Sequence, residues 1–270
     1  MKTFKSLTAL ALAVIILSAG SSTYFSAGSL KAPKLLSVKN AYNGVLIKWK
    51  KVNNATSYKI YVKSSKSFKK AATVKNALSF THKGTKSKKT YTYKIKAFGN
   101  NSSSAFSNAK SVYRVKTPTL TVKNTSKGVK SSWTKINGAT RYTLLYKKSG
   151  SSKFKTAYSG KKRSFTDDNL FPGTKYTFKV KAKIKSKSSA YSKKTDMIFL
   201  EQPTLSAEEL LDMKGIHLNW SKVQGADGYR IYRSFKYKNS YKKIADIKGV
   251  SSKYYLDESV KNSKLPTQIN

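Results

Sequence analysis

Cysteine is absent from this 270-residue chain, which removes disulfides, thiolate nucleophiles and cysteine-based zinc sites together. Carboxylates are scarce as well. Eleven Asp and Glu stand against 55 Lys and Arg, and all eleven lie at or after Asp167. The first 166 residues therefore hold no acidic side chain. Histidine is limited to His82 and His217, with no His-Glu or His-x-x-His spacing that would point to a metal. His217 falls on the outward parity of a strand and His82 in a lysine-rich turn, so both are expected at the surface. The adjacent pairs Asp167–Asp168 and Asp257–Glu258 would point to opposite sides of a strand, so neither makes a facing acid–base couple; turn capping is their expected role. Glu208, Glu209 and Asp212 form a local acidic cluster that balances nearby lysines. No glycine-rich phosphate loop occurs, and the "GNNSSS" run from Gly99 reads as a polar hairpin tip. The expectation is a protein that is not an enzyme and needs no cofactor and no metal.

The amino terminus opens with Lys2 and Lys5, continues through an apolar run from Leu7 to Leu17, and passes into small residues with a cleavage site expected after Gly20 or Gly28. That is the pattern of a secretory signal, and residues 1–28 are read as signal and short leader. The apolar run is too short for a comfortable membrane span, so no stable span is expected once it is removed. Export without cysteine suits a bacterial protein, because small exported eukaryotic domains usually carry disulfides.

What the chain does contain is one unit written three times. "GVLIKWKKVNNATSYKIYVKS" from Gly44, "GVKSSWTKINGATRYTLLYKKS" from Gly128 and "GIHLNWSKVQGADGYRIYRS" from Gly215 align by eye, each with a Tyr nine residues after its Trp: Trp49–Tyr58, Trp133–Tyr142 and Trp220–Tyr229. Prolines at 33, 118 and 203 precede them at a spacing of 85, which also separates Tyr91 from Tyr176. Between polar turns the residues alternate apolar and polar, the period of a strand with one buried face. In "KYTFKVKAKIK" Tyr176, Phe178, Val180, Ala182 and Ile184 take one parity and a row of lysines takes the other. A repeat of this size with about seven strands is that of a β-sandwich domain.

The proline-led first strand, the "GVxxxW" strand, the Tyr nine residues on and "LFPGTKYTFKVKA" (Leu170 to Ala182) resemble the fibronectin type III domain, in the form repeated in secreted proteins of Gram-positive bacteria. The resemblance implies an all-β chain of tandem immunoglobulin-like sandwiches over 32–116 and 117–201, with a truncated third over 202–270. It further implies that Trp49, Tyr58, Trp133, Tyr142, Trp220 and Tyr229 fill the space between sheets. Tyr91 and Tyr176 would sit at a tyrosine corner, looser in the first unit because no Leu and Pro precede Tyr91. The third copy lacks an equivalent of "GTKYTFKVKA" and of the strand after it. Three accounts stay open: a truncated gene, a poorly folded tail, or strands supplied by another chain.

The remaining feature is charge, a formal +44. In such a sandwich Lys59, Tyr61 and Lys63 would lie outward beside Lys94 and Lys96, and Lys147 beside Lys179, Lys181, Lys183 and Lys185. Outward neighbours along a strand are about 7 Å apart, within the screening length at physiological salt. These rows are expected to be either solvated filler or a surface for anionic polymers (teichoic acid, acidic polysaccharide or nucleic acid, without sequence preference). Surface proteins are the other expected partners. Outward tyrosines such as Tyr61 and Tyr232 could stack on sugars or bases. The expected role is a secreted or wall-associated adhesion or spacer protein, the alternative being the accessory remnant of a larger secreted carbohydrate-active or cell-wall enzyme.

Overall fold

A computed structural model describes residues 30–209, 215–234 and 240–260. The signal-like segment, Asp212 and the last ten residues lie outside the described residues.

The first unit contains β1 (Leu35–Ala41), β2 (Gly44–Trp49), β3 (Ser57–Lys63), β4 (Lys69–Lys75), β5 (Ser79–Lys83), β6 (Thr90–Gly99), β7 (Ser102–Ser103) and β8 (Lys110–Tyr113). Antiparallel pairing gives one sheet in the order β1-β2-β5 and a second in the order β4-β3-β6, with β7 and β8 both on β6. The second unit repeats this with β9 (Leu120–Thr125), β10 (Gly128–Trp133), β11 (Arg141–Lys148), β12 (Lys155–Gly160), β13 (Ser164–Asp167), β14 (Lys175–Ile184), β15 (Lys187–Ser188) and β16 (Thr195–Ile198). Each unit is a sandwich whose core is the apolar parity of both sheets. On β6 that parity is Tyr91, Tyr93, Ile95 and Ala97; on β14 it is Tyr176, Phe178, Val180, Ala182 and Ile184, all buried. The buried residues form two separate clusters, one per unit.

Two hydrogen bonds explain the repeated spacings. The phenol oxygens of Tyr58, Tyr142 and Tyr229 each accept from a backbone N–H six residues upstream, at Val52, Ile136 and Val223, all at 2.9 Å. A Tyr nine residues after the Trp thus ties the turn between its strands while its ring lies 5.3–5.8 Å from the indole. The corner tyrosines reach back five residues, Tyr91 to the Lys86 N–H at 2.8 Å and Tyr176 to the Phe171 N–H at 3.0 Å. The first corner is therefore no looser than the second. The phenol–backbone bond fixes the bend, and the preceding Leu and Pro are not needed for it. The glycine that opens each repeated strand has a steric cause: a Cβ on Gly44, Gly128 or Gly215 would run into the carbonyl of His82, Asp167 or Asp257.

The third unit contains β17 (Leu205–Glu209), β18 (Ile216–Trp220), β19 (Gly228–Arg233), β20 (Lys242–Lys248) and β21 (Tyr254–Asp257). Its described residues form a three-stranded sheet, β17-β18-β21, and a two-stranded one, β19-β20. Trp220 remains buried, but a cavity of about 280 Å³ opens between the sheets, lined by Leu218, Trp220, Tyr229, Ile231 and Ile244 among others. Glu208 and Glu209 are consecutive on β17, so they point to opposite faces and do not cluster. No helix among the described residues is long and apolar enough to cross a membrane.

Candidate functional site

Because β3 pairs with β6, Lys59 lies directly opposite Lys96, and Tyr61 opposite Lys94. In the second unit β11 pairs with β14, setting Lys147 against Thr177, Leu145 against Lys179, Thr143 against Lys181 and Arg141 against Lys183. Lys59, Lys63, Lys94 and Lys96 thus share one outward face, and Lys147, Lys179, Lys181 and Lys183 share its counterpart. Lys185 does not belong to that set. β14 ends at Ile184, and Lys185 opens a two-residue turn to β15 with φ of 50°; the alternation in the sequence runs one residue past the strand.

These lysines are not bare cations in water. Lys94 Nζ lies 4.9 Å from the ring centre of Phe68 and 5.8 Å from that of Phe106; Lys59 Nζ is 3.9 Å from Phe98. Lys63 also faces Phe68, and Lys96 faces both Phe98 and Phe106. The second unit repeats the motif: Lys179 Nζ is 3.7 Å from Phe154 and 4.4 Å from Tyr191, Lys181 is 5.1 Å from Tyr191, and Lys147 is 5.8 Å from Phe154. An ammonium over an aromatic face is attracted by the ring quadrupole, by about 0.5–1 kcal/mol at exposed sites. The lysine stems lie along the rings and are half-buried, as long amphipathic side chains often are.

No strand alternation marks these rings in the sequence. Phe106 and Tyr191 stand in irregular chain, held by serines on either side. Ser104 and Ser107 each exchange two hydrogen bonds with β6, as Ser189 and Ser192 do with β14. The recurrence of "SAFS" and "SAYS" 85 residues apart was the available signal. Phe68 and Phe154 lie just before β4 and β12, where no alternation marks them. Tyr61 meets Phe106 edge-on at 5.1 Å, and Tyr232 is half exposed on β19.

Burial, together with the neighbouring Lys194, Lys181 and Lys147, holds the Lys179 ammonium below the usual lysine range. The two faces differ at one edge. Asp196 on β16 accepts from Thr177 Oγ1 at 2.7 Å and pairs with Lys175 Nζ at 3.0 Å. The matching place in the first unit is Ser111, bonded to Thr92.

His82 is not in a turn. It lies on β5, half-buried, with Nδ1 2.9 Å from the Tyr93 hydroxyl and its ring among Phe80, Tyr91 and Tyr93. Burial holds its pKa below the ordinary histidine value. His217 lies on the outward parity of β18, beside the ring of Tyr254. Asp167 and Asp257 accept from the N–H two residues on, at Asn169 and Ser259, so both cap turns. No group of three or more metal-ligating side chains occurs among the described residues.

No curated protein matches the sequence. A crystal structure of the chicken CNTN1 FN1–FN3 domains is similar at 14% identity with a TM-score of 0.30, over 85% of this chain and 88% of that one. Residues 115–197 match the model of the fibronectin type III domain, and the chain is built of tandem immunoglobulin-like β-sandwiches.

Proposed function

We propose that this protein is a secreted, non-catalytic adhesion or spacer module whose lysine–aromatic faces hold it to anionic polymers. Fibronectin type III domains are in general non-catalytic structural modules, which supports the coarse part of this reading. One observation carries the finer part. The same constellation, a lysine between two aromatic rings with further lysines beside it, recurs at equivalent places on both complete sandwiches: Phe68, Lys94 and Phe106, then Phe154, Lys179 and Tyr191. A sandwich does not need it, since like charges set opposite one another across a sheet oppose folding. A polyanion laid across the strands would relieve that repulsion, and the rings offer stacking surfaces for sugars or bases. Teichoic acid, acidic polysaccharide and nucleic acid all have the required charge.

The test is binding of the purified protein to bacterial cell walls with and without their teichoic acid, at low and high salt. Binding that needs the anionic polymer, falls steeply with salt and weakens when Lys94, Lys96, Lys179 and Lys181 are changed to Gln supports the proposal. Binding indifferent to polymer, salt and these lysines refutes it.

A further inference from the structure

Arg114 is buried, 2% exposed, in a half of the chain with no carboxylate. Its side chain is held by neutral acceptors. Nε donates to Thr85 Oγ1 at 3.1 Å, and Nη1 to the carbonyls of Val115 at 2.8 Å and Ala41 at 3.2 Å and to Asn40 Oδ1 at 3.4 Å. None of these contacts uses Nη2, and no acidic side chain among the described residues lies within 4.0 Å. A buried charge without a counter-ion is unfavourable by several kcal/mol in typical proteins. Yet the fold does not require an arginine here. The equivalent residue in the second unit is Phe199, whose N–H and carbonyl make the same two backbone bonds, to Thr174 and from Gly173, as Arg114 makes to Lys89 and from Lys88. Asn124 likewise matches Asn40, each donating to the carbonyl just before that residue, Ile198 or Tyr113. Its Oδ1 is left buried and unbonded where Asn40 meets the guanidinium.

Beside Arg114 is an open cleft of about 550 Å³ at the exit of the first sandwich, lined also by Asn43, Thr85, Lys86, Lys116 and Thr119. Its charged side chains, Lys86, Arg114 and Lys116, are all cationic, and Tyr42 also lines it. The matching cleft of the second unit, lined by Lys127, Asp168, Phe199 and Glu201 among others, has exchanged Arg114 for Phe199 and Lys116 for Glu201. Two of the three cations of the first cleft, Arg114 and Lys116, thus stand where its twin has an apolar ring and an acid. Thr85, which accepts from Nε, keeps its own hydroxyl proton to donate.

We infer that this cleft binds a single oxyanion of the phosphate or sulfate class, anchored on the Arg114 guanidinium, with Lys86 and Lys116 at the rim and the Thr85 hydroxyl as a neutral donor. A planar carboxylate is best held by a two-pronged guanidinium contact, and Nε and Nη1 are already engaged. A tetrahedral anion instead takes separate donors from several directions, as this cleft offers. The site is discrete and does not depend on the lysine faces.

The test is titration of the purified protein with inorganic phosphate at constant ionic strength, followed by amide chemical shifts and calorimetry. One saturable equivalent is expected, with shifts centred on Thr85, Lys86, Arg114 and Lys116. Arg114→Phe, which installs the second unit's residue, should weaken binding at least about tenfold, as loss of a charged hydrogen bond does. Lys116→Glu, at an exposed position where the fold is not at risk, should weaken it to a similar degree. Lys179→Gln with Lys181→Gln should leave it unchanged. Displacement of the phosphate by a teichoic acid fragment would make a polymer-borne phosphate the occupant, and no displacement a free anion. Non-saturable shifts spread over the lysine faces, or unaltered binding in both cleft variants, would overturn the inference.

Discussion

His82 and Asp167 occupy one position in two copies of the same fold, each opposite the valine that follows its strand-opening glycine, Val45 and Val129. Each is satisfied by different chemistry. His82 shares a hydrogen bond with the Tyr93 hydroxyl; the residue in that place in the second sandwich is Phe178, which offers none. Asp167 instead accepts from the Asn169 N–H. The third copy has Asp257 there, paired with Arg233 Nη1 at 2.6 Å and bonded to Ser259. The backbone asks only for a group that can be partly buried and find one partner. Charge at such places is free to drift between copies, so a place where one copy keeps an uncompensated cation, as at Arg114, is informative.

This comparison needs the sandwiches to melt as separate units, and their tryptophans test that. Trp49 and Trp133 each lie buried between the sheets of their own unit. Replacing either with Ala should cost about 3–5 kcal/mol, comparable with the whole stability of a small domain. Calorimetry should then lose one transition and keep the other. If both move together, the bond of Asn40 to Ser188 couples the units, and they cannot be compared as independents. A smaller change sharpens the contrast between corners. Tyr91→Phe and Tyr176→Phe each leave one backbone N–H without its acceptor, at about 1 kcal/mol. Equal losses in urea unfolding are expected, because the two bonds have the same geometry. A markedly smaller loss at Tyr91 would restore the view that Leu170 and Pro172 matter.

Much of this was legible in the sequence, for a physical reason. Alternation reports which side of a strand is dry, so the core of β14 and the lysine parity of Lys179 to Lys183 could be read directly. Which strands are neighbours was implied by the resemblance to the fibronectin type III domain. Residues outside strands carry no such period. Phe106, Tyr191, Phe68 and Phe154 come to the lysines from loops, and Lys185 was counted with a strand that had already ended. His82 looked like a turn residue because Lys83, Gly84 and Lys86 follow it, whereas its environment is made by Tyr91 and Tyr93, on another strand. Arg114 sits at a join between units, where neither parity nor composition marks burial.

The His82–Asp167 pair also predicts opposite responses to acid. The folded pKa of His82 lies below its unfolded value because of burial. The unfolded state then binds the proton more readily, and the first sandwich loses stability as pH falls below about 6.5. Asp167 is raised by burial, partly opposed by the Asn169 N–H. Its ionised form is penalised at neutral pH, and that penalty is relieved as pH falls through the raised folded value toward about 3.9. His82→Gln should flatten the acid sensitivity of the first transition, and Asp167→Asn should raise the second at pH 7. Urea midpoints followed by fluorescence, with Trp49 or Trp133 as the reporter, would show this. Parallel slopes in the two units would sink the account.

The smallest effect expected is at the edge of the lysine faces. Asp196 gives the second face an internal anion bonded to Thr177 and Lys175, whereas Ser111 leaves the first face with none. Exposed pairs of this kind are worth about 0.2–1 kcal/mol and are screened by salt. Asp196→Asn should therefore destabilise the second sandwich by a few tenths of a kcal/mol in about 10 mM salt and by almost nothing in about 1 M. Ser111→Asp should stabilise the first sandwich in dilute salt, by less, because Thr90 stands where the second unit has Lys175. Wild-type protein should gain stability with salt in both units, and more in the first. If salt moves neither unit, the lysine rows are already neutralised by their rings. The repulsion that a polyanion would relieve would then be absent.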